Sequence, residues 1–203
     1  MGTEISDRIQ SRNLKRGRHK NCDVRSREYL TLDEVELLLE AAKLRGRHRT
    51  RDYALLLLMF RHGLRVSEGI ALRWDAVMFS DATINITRLK KSDSGVHPLQ
   101  PDEVAVLQAL KREYPGQAHL FMGERGKPLS RHAAQKILAR CAALAELDIE
   151  VHPHMLRHAC GYYLANQGLD TRLIQDWLGH RNIQHTVRYT RLNPARFKEI
   201  AWE

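Results

Sequence analysis

The chain has 203 residues, with 33 Lys and Arg against 24 Asp and Glu, and a formal net charge of +9. That length carries one large domain, or one domain with an arm, and buries a proper core. Cys22, Cys141 and Cys160 form an odd set without paired spacing, which argues against a disulfide framework and a CxxC zinc site and fits a reducing compartment.

The charge is unevenly placed. Residues 8 to 27 hold eight basic side chains (Arg8, Arg12, Lys15, Arg16, Arg18, Lys20, Arg25, Arg27) against the single acid Asp23, so this segment carries +7 of the total. A block with so few apolar residues is expected to be disordered on its own and to attract polyanions by releasing their counterions, which points to nucleic acid; the plainer alternative is a solvated tail. The N-terminus lacks the apolar run of a signal peptide. The longest apolar stretch, Ala54 to Phe60, is far short of the roughly 20 residues that span a bilayer. A cytoplasmic, nucleoid-associated protein is expected.

Taken in order, the chain first shows a sharp helix start at Leu30-Thr31-Leu32-Asp33-Glu34-Val35. Thr31 and Glu34 form a capping box with Leu30 and Val35 at the staple positions, and Val35, Leu38, Leu39 and Ala42 line one face as far as Lys43. The folded domain is therefore expected from residue 28. Arg47 to Thr50 is polar, and Asp52 to His62 reads as a helix so apolar that most of its sides are buried. Gly63 stops it, and Leu64 to Glu68 opens a short helix through Leu72. Arg65 falls at the junction of two buried helices, either as an ion-pair partner of Glu68 or as a functional cation.

From Trp74 to Leu99 the period changes to two, with Thr83 to Arg88 alternating, turn chemistry at Ser92-Asp93-Ser94-Gly95, and Val96 to Leu99 returning. This predicts a small antiparallel sheet with Lys90 and Lys91 at the hairpin tip. Pro101 opens a helix to Glu113, and Tyr114 to Pro128 is a loop. Ser130 caps a helix through Leu147 with Ala133, Ile137, Leu138, Cys141 and Leu144 on its apolar face. There are no internal repeats.

The stretch from Val151 to Thr190 carries most of the chemistry. Pro153 suits a first helical turn, which puts His154 and Arg157 three apart on one face near an N-terminus that favours anions. Gly168 ends that helix, Asp170 or Thr171 caps the next as far as Leu178, and His180 follows Gly179. A last helix from Ile183 to Thr190 carries Tyr189. The histidines allow two other readings: His152, His154 and His158 have spacings compatible with metal ligation, although no acid or fourth ligand accompanies them, or each fills a polar corner of the core. The apolar Phe197, Ile200 and Trp202 lie at helical spacing in the tail.

Four separated elements share an order and spacing: Gly63-Leu64-Arg65-Val66-Ser67-Glu68, His154-Met155-Leu156-Arg157-His158, Leu178-Gly179-His180 and Thr186-Val187-Arg188-Tyr189-Thr190. Together they resemble the catalytic domain of the tyrosine recombinase (phage integrase) family. His152 to His158 and Asp170 to Asn182 are most similar to the short fimbrial phase-variation DNA invertases.

The resemblance implies a mixed α/β, mainly α-helical fold with a small antiparallel β-sheet over residues 28 to 192, preceded by a basic DNA-contacting arm (1–27; Arg12, Lys15, Arg16, Arg18 and Lys20) and followed by a tail (193–203) that docks on a neighbouring protomer. It implies that Arg65 and Arg157 clamp a scissile phosphate, His180 donates a further hydrogen bond, His154 accepts the proton of the nucleophile Tyr189, and Lys90 or Lys91 protonates the departing 5′ oxygen. No metal, cofactor or ATP is then required. The implied partners are double-stranded DNA with inverted repeats, a homotetramer in the synaptic complex, and accessory DNA-bending proteins. Two departures from the family stand out: the separate N-terminal core-binding domain of larger members is expected to be missing, and Gly69 replaces an apolar residue. The rival reading is a catalytically silent DNA-binding regulator on the same fold.

Overall fold

The computed structural model describes residues 27–44, 46–89, 94–124 and 126–191. The arm residues Arg12, Lys15, Arg16, Arg18 and Lys20, the hairpin lysines Lys90 and Lys91, and the tail 193–203 lie outside the described residues.

The first helix, α1 (Leu32–Leu44), begins at the predicted capping box. The Thr31 amide donates to the Glu34 carboxylate at 2.8 Å and the Glu34 amide to the Thr31 hydroxyl at 3.3 Å, while Leu30 and Val35 are buried beside them. Helix α2 (Arg49–Arg61) begins three residues before the expected Asp52. The polar first turn stays helical because Arg51 has buried partners: its guanidinium donates to Asp52 Oδ1 at 2.7 and 2.9 Å and to the Met122 carbonyl at 2.7 Å.

Gly63 ends α2 with φ of +56°, where a β-carbon would fall 2.3 Å from Leu178 Cδ2. The chain then turns into α3 (Val66–Ile70). A short 3-10 turn (Trp74–Ala76) leads to β1 (Val77–Met78), β2 (Thr83–Ile86) and β3 (Gly95–Pro98). They form one antiparallel sheet in the order β1-β2-β3, with Ile84 opposite both Val77 and His97 and with Ile86 opposite Gly95.

Helix α4 (Pro101–Glu113) follows, then α5 (Arg131–Leu144), whose N-cap Ser130 accepts from the Ala133 amide at 3.1 Å. It ends short of Leu147 because the chain reverses at Glu146, which takes φ of +51°, while the Leu147 amide returns to the Ala142 carbonyl. Helix α6 (Pro153–Asn166), helix α7 (Thr171–Leu178) and helix α8 (Gln184–Thr190) complete the fold. Asp170, rather than Thr171, caps α7, its Oδ1 accepting from the Arg172 and Leu173 amides at 2.8 and 3.0 Å.

The core is a helix cluster in which α2 packs on α1, α4 and α6, and α6 carries α7 and α8 on its other sides. Leu38, Leu55, Leu58, Leu64, Leu138, Leu156 and Ile174 fill it. The architecture is mixed α/β and mainly helical with one small antiparallel sheet, as expected. Among the described residues no helix is long and apolar enough to cross a membrane.

Candidate active site

The packing of α6 between the α2–α3 junction and the pair α7–α8 brings Arg65, Arg157, His180 and Tyr189 from four separate segments to one place. Arg65 stands at the start of α3, its backbone amide and Nη1 donating to the Glu68 carboxylate at 2.9 and 2.6 Å, with 26% of its side chain still exposed. The ion-pair reading of Arg65 is therefore correct as geometry. It is compatible with a clamp, because a guanidinium fixed along one edge is held in a set orientation.

Glu68 is itself buried and accepts from Arg88 Nη1 at 3.0 Å. Burial alone would raise its pKa. The hydrogen bonds from the Arg65 backbone and side chain, with the charge of Arg88, prevail and hold it below the usual carboxylate range.

Arg157 is 3% exposed and spans two elements, with Nη1 on the Gly63 carbonyl and Nη2 on the Leu178 carbonyl at 2.7 Å. Burial, then the positive charges of Arg88 and Arg65, bring its pKa down to about 10, so it stays charged at neutral pH. Arg88 shares this scaffold: it donates to the carbonyls of His62 at 2.9 Å, Gly63 at 3.3 Å and Trp177 at 2.6 Å. The sequence reading assigned Arg88 no role. The signal was present, since period-two alternation puts Arg88 on the same inward face as the buried Ile84 and Ile86.

His180 follows Gly179, which takes the left-handed conformation that closes α7. Its Nδ1 lies 2.9 Å from the hydroxyl of the buried Thr186, and burial with the neighbouring Arg157, His185 and Arg65 brings its pKa to about 3. The ring is therefore neutral at neutral pH. When Thr186 donates to Nδ1, the proton stays on Nε2 and that edge is a hydrogen-bond donor.

Tyr189, on α8, is only 2% exposed. Its ring stacks on His180 at 6.3 Å, meets Tyr162 edge-on at 5.1 Å, and lies so close to Gly161 that a β-carbon there would fall 2.6 Å from Cε2. Burial pushes its pKa up to about 12 against the opposing charges of Arg188 and Arg157, so the phenol is protonated.

Its hydroxyl meets Nδ1 of His158 at 2.8 Å. His154, which the resemblance marked as proton acceptor, lies on the exposed side of the first turn of α6 with its ring 6.4 Å from that of His158. Partial burial, His152, Arg157 and Arg65 lower the His154 pKa, and burial with Arg188 brings His158 to about 4. Among the described residues no three His, Cys, Asp or Glu side chains converge to hold a metal ion.

A mainly helical domain that gathers two arginines, neutral imidazoles and a phenol from separated segments, beside a carboxylate that orders the cations, has the equipment of a tyrosine site-specific recombinase. The chain belongs to the phage integrase family, which residues 28–196 match. It is 46% identical over 187 residues to the type 1 fimbriae regulatory protein FimB of Escherichia coli K12, covering 90% of this chain and 92% of that protein. It is equally identical over 183 residues to FimE of the same strain, covering 87% of this chain and 91% of that protein. Among solved structures, XerH site-specific recombinase bound to palindromic difH superposes with a TM-score of 0.72 at 25% identity, over 84% of this chain and 51% of that one.

Proposed function

We propose that this recombinase inverts a DNA segment bounded by short inverted repeats, switching a promoter that controls fimbrial expression. The observation that carries the chemistry is the convergence of Arg65, Arg157 and His180 on Tyr189. The similarity to FimB and FimE over nearly their whole length carries the biological context.

In this reading the two guanidinium groups and the Nε2–H of His180 bind the non-bridging oxygens of a phosphodiester and stabilise the charge that grows there in the transition state. The phenol oxygen of Tyr189 attacks phosphorus as its proton passes to His154, and the bond from phosphorus to the 5′ oxygen breaks. The departing oxygen takes a proton from Lys90 or Lys91. A 3′-phosphotyrosyl link conserves the phosphodiester energy, and attack by the 5′-hydroxyl of the exchanged strand rejoins the DNA and releases Tyr189.

Four protomers synapse two sites, with residues 193–203 of one docking on the next, and accessory DNA-bending proteins assist. The basic arm, through Arg12, Lys15, Arg16, Arg18 and Lys20, neutralises phosphates flanking the cleavage point in the cytoplasm, at the nucleoid. Removing residues 194–203 is expected to lower cooperative assembly while sparing single-site binding. Removing the arm is expected to make affinity fall less steeply with salt.

The direct test is an SDS-resistant adduct assay in EDTA on nicked duplexes spanning the inverted repeats beside the gene, with wild type and Tyr189→Phe. An adduct with wild type alone is the expected result. Binding without an adduct from either protein would favour a DNA-binding regulator instead.

A further inference from the structure

Tyr189 occupies a seat built almost entirely by α6. His158, Gly161 and Tyr162 face it from successive turns of that helix, and His180 closes the opposite side of the ring. The position of Gly161 is informative, because a side chain there would overlap the phenol ring. The ring is thus held on three sides by shape, and its polar end by one hydrogen bond.

That bond has a direction. In the tautomer that leaves Nδ1 without hydrogen, a neutral imidazole accepts and the protonated phenol donates, so the O–H of Tyr189 points at Nδ1 of His158. The lone pairs of the phenol oxygen are turned away from His158. A hydroxyl held in one direction carries less rotational freedom into the attack.

We propose that His158 is the positioning residue for the nucleophile, holding the hydroxyl of Tyr189 through Nδ1, and that His154, one turn earlier on α6, keeps the separate task of taking the proton as the phenol attacks. This rests on the reading of Tyr189 as nucleophile. The hydrogen-bond partner of the phenol is thus the second, not the first, histidine of His154-Met155-Leu156-Arg157-His158.

The geometry makes a specific distinction among substitutions. The side-chain amide of Asn reaches about where Nδ1 of histidine lies, whereas that of Gln extends to the place of Nε2. His158→Asn can therefore accept the same hydrogen bond, while His158→Gln and His158→Ala cannot. Asn does not take up a proton, so rescue by Asn identifies a role in positioning rather than in proton transfer.

The experiment measures single-turnover cleavage of the nicked inverted-repeat duplexes by the full chain at saturating DNA, alongside DNA affinity and far-UV circular dichroism. His158→Ala and His158→Gln are expected to cleave between about tenfold and a hundredfold more slowly, the range for a displaced reacting group. His158→Asn is expected to stay within about threefold of wild type, the loss of part of one hydrogen bond. DNA affinity and helical content are expected to match wild type in all three. If His158→Ala cleaves as fast as wild type or faster, or if His158→Asn is as slow as His158→Ala, the proposal is overturned. If instead Tyr189→Phe still forms adduct, or wild type forms none, the assignment of the nucleophile fails first, and the two failures are told apart by those controls.

Discussion

Arg88 Nη1 and Glu68 Oε2 lie 3.0 Å apart with only 1% of either side chain exposed. Arg88 also closes on three backbone carbonyls from the end of α2 and the end of α7, and Glu68 orders Arg65 from the same carboxylate. Replacing Arg88 by Met leaves Glu68 charged and buried with one of its two guanidinium partners gone. Breaking a buried pair from one side costs about 3–5 kcal/mol. The expected outcome for Arg88→Met is a loss of that order in urea unfolding, together with weaker cleavage per folded molecule because Arg65 is less well held.

Gly63 connects the same scaffold from the backbone side, its carbonyl accepting from both Arg157 and Arg88. At φ of +56° an alanine is strained by about 1–2 kcal/mol. The added methyl would also meet Leu178 at 2.3 Å. Gly63→Ala is expected to destabilise the chain by more than the backbone strain alone and to lower cleavage by displacing Arg157, both measurable on one preparation by unfolding and single-turnover assays.

Thr186 is fully buried and its hydroxyl reaches only the ring nitrogen of His180 among the described side-chain contacts. When that hydroxyl donates to Nδ1, it keeps the proton of the neutral imidazole on Nε2. Thr186→Val keeps the shape and removes the hydroxyl, so cleavage is expected to fall by about tenfold, one lost hydrogen bond in the transition state, with little change in DNA affinity. Equal cleavage rates in the two proteins would show that the tautomer of His180 is set elsewhere.

Two buried histidines, His97 and His180, and the half-buried His158 make stability depend on pH in one direction. His97 and His180 are brought to about 3 and His158 to about 4, all by burial first. Below their ordinary value near 6.5 the unfolded chain binds protons that the folded chain does not, so stability is complete above that value and is lost as pH falls toward 4 and 3. The urea midpoint is expected to be flat between pH 7 and 8 and to drop steadily from about pH 6.5 downward. His97→Gln is expected to flatten part of that slope.

Much of this protein was legible before any coordinates. The capping box at Thr31 and Glu34, the stop at Gly63, the cap at Ser130 and the turn at Gly179 depend on a few adjacent residues, and local backbone chemistry acts the same way in any fold. The family resemblance carried by four short motifs also implied that Arg65, Arg157, His180 and Tyr189 form one site, and Arg65, His180 and Tyr189 sit at or beside the end of an element whose boundary the sequence marks.

What the tertiary structure decided is which side chain meets which. His154 and His158 are four apart on α6 and point to the same side of it, so no rule of spacing chooses between them; the angle at which α8 crosses α6, allowed by the missing side chain of Gly161, brings Tyr189 to His158. Arg88 reads as one more residue of an alternating strand until α2 and α7 supply three carbonyls and Glu68 a carboxylate around it. Local sequence sets where each element begins, ends and turns its apolar face, whereas contacts between residues as far apart as Arg88 and Trp177 exist only after the core has closed and removed the water that would otherwise compete for them.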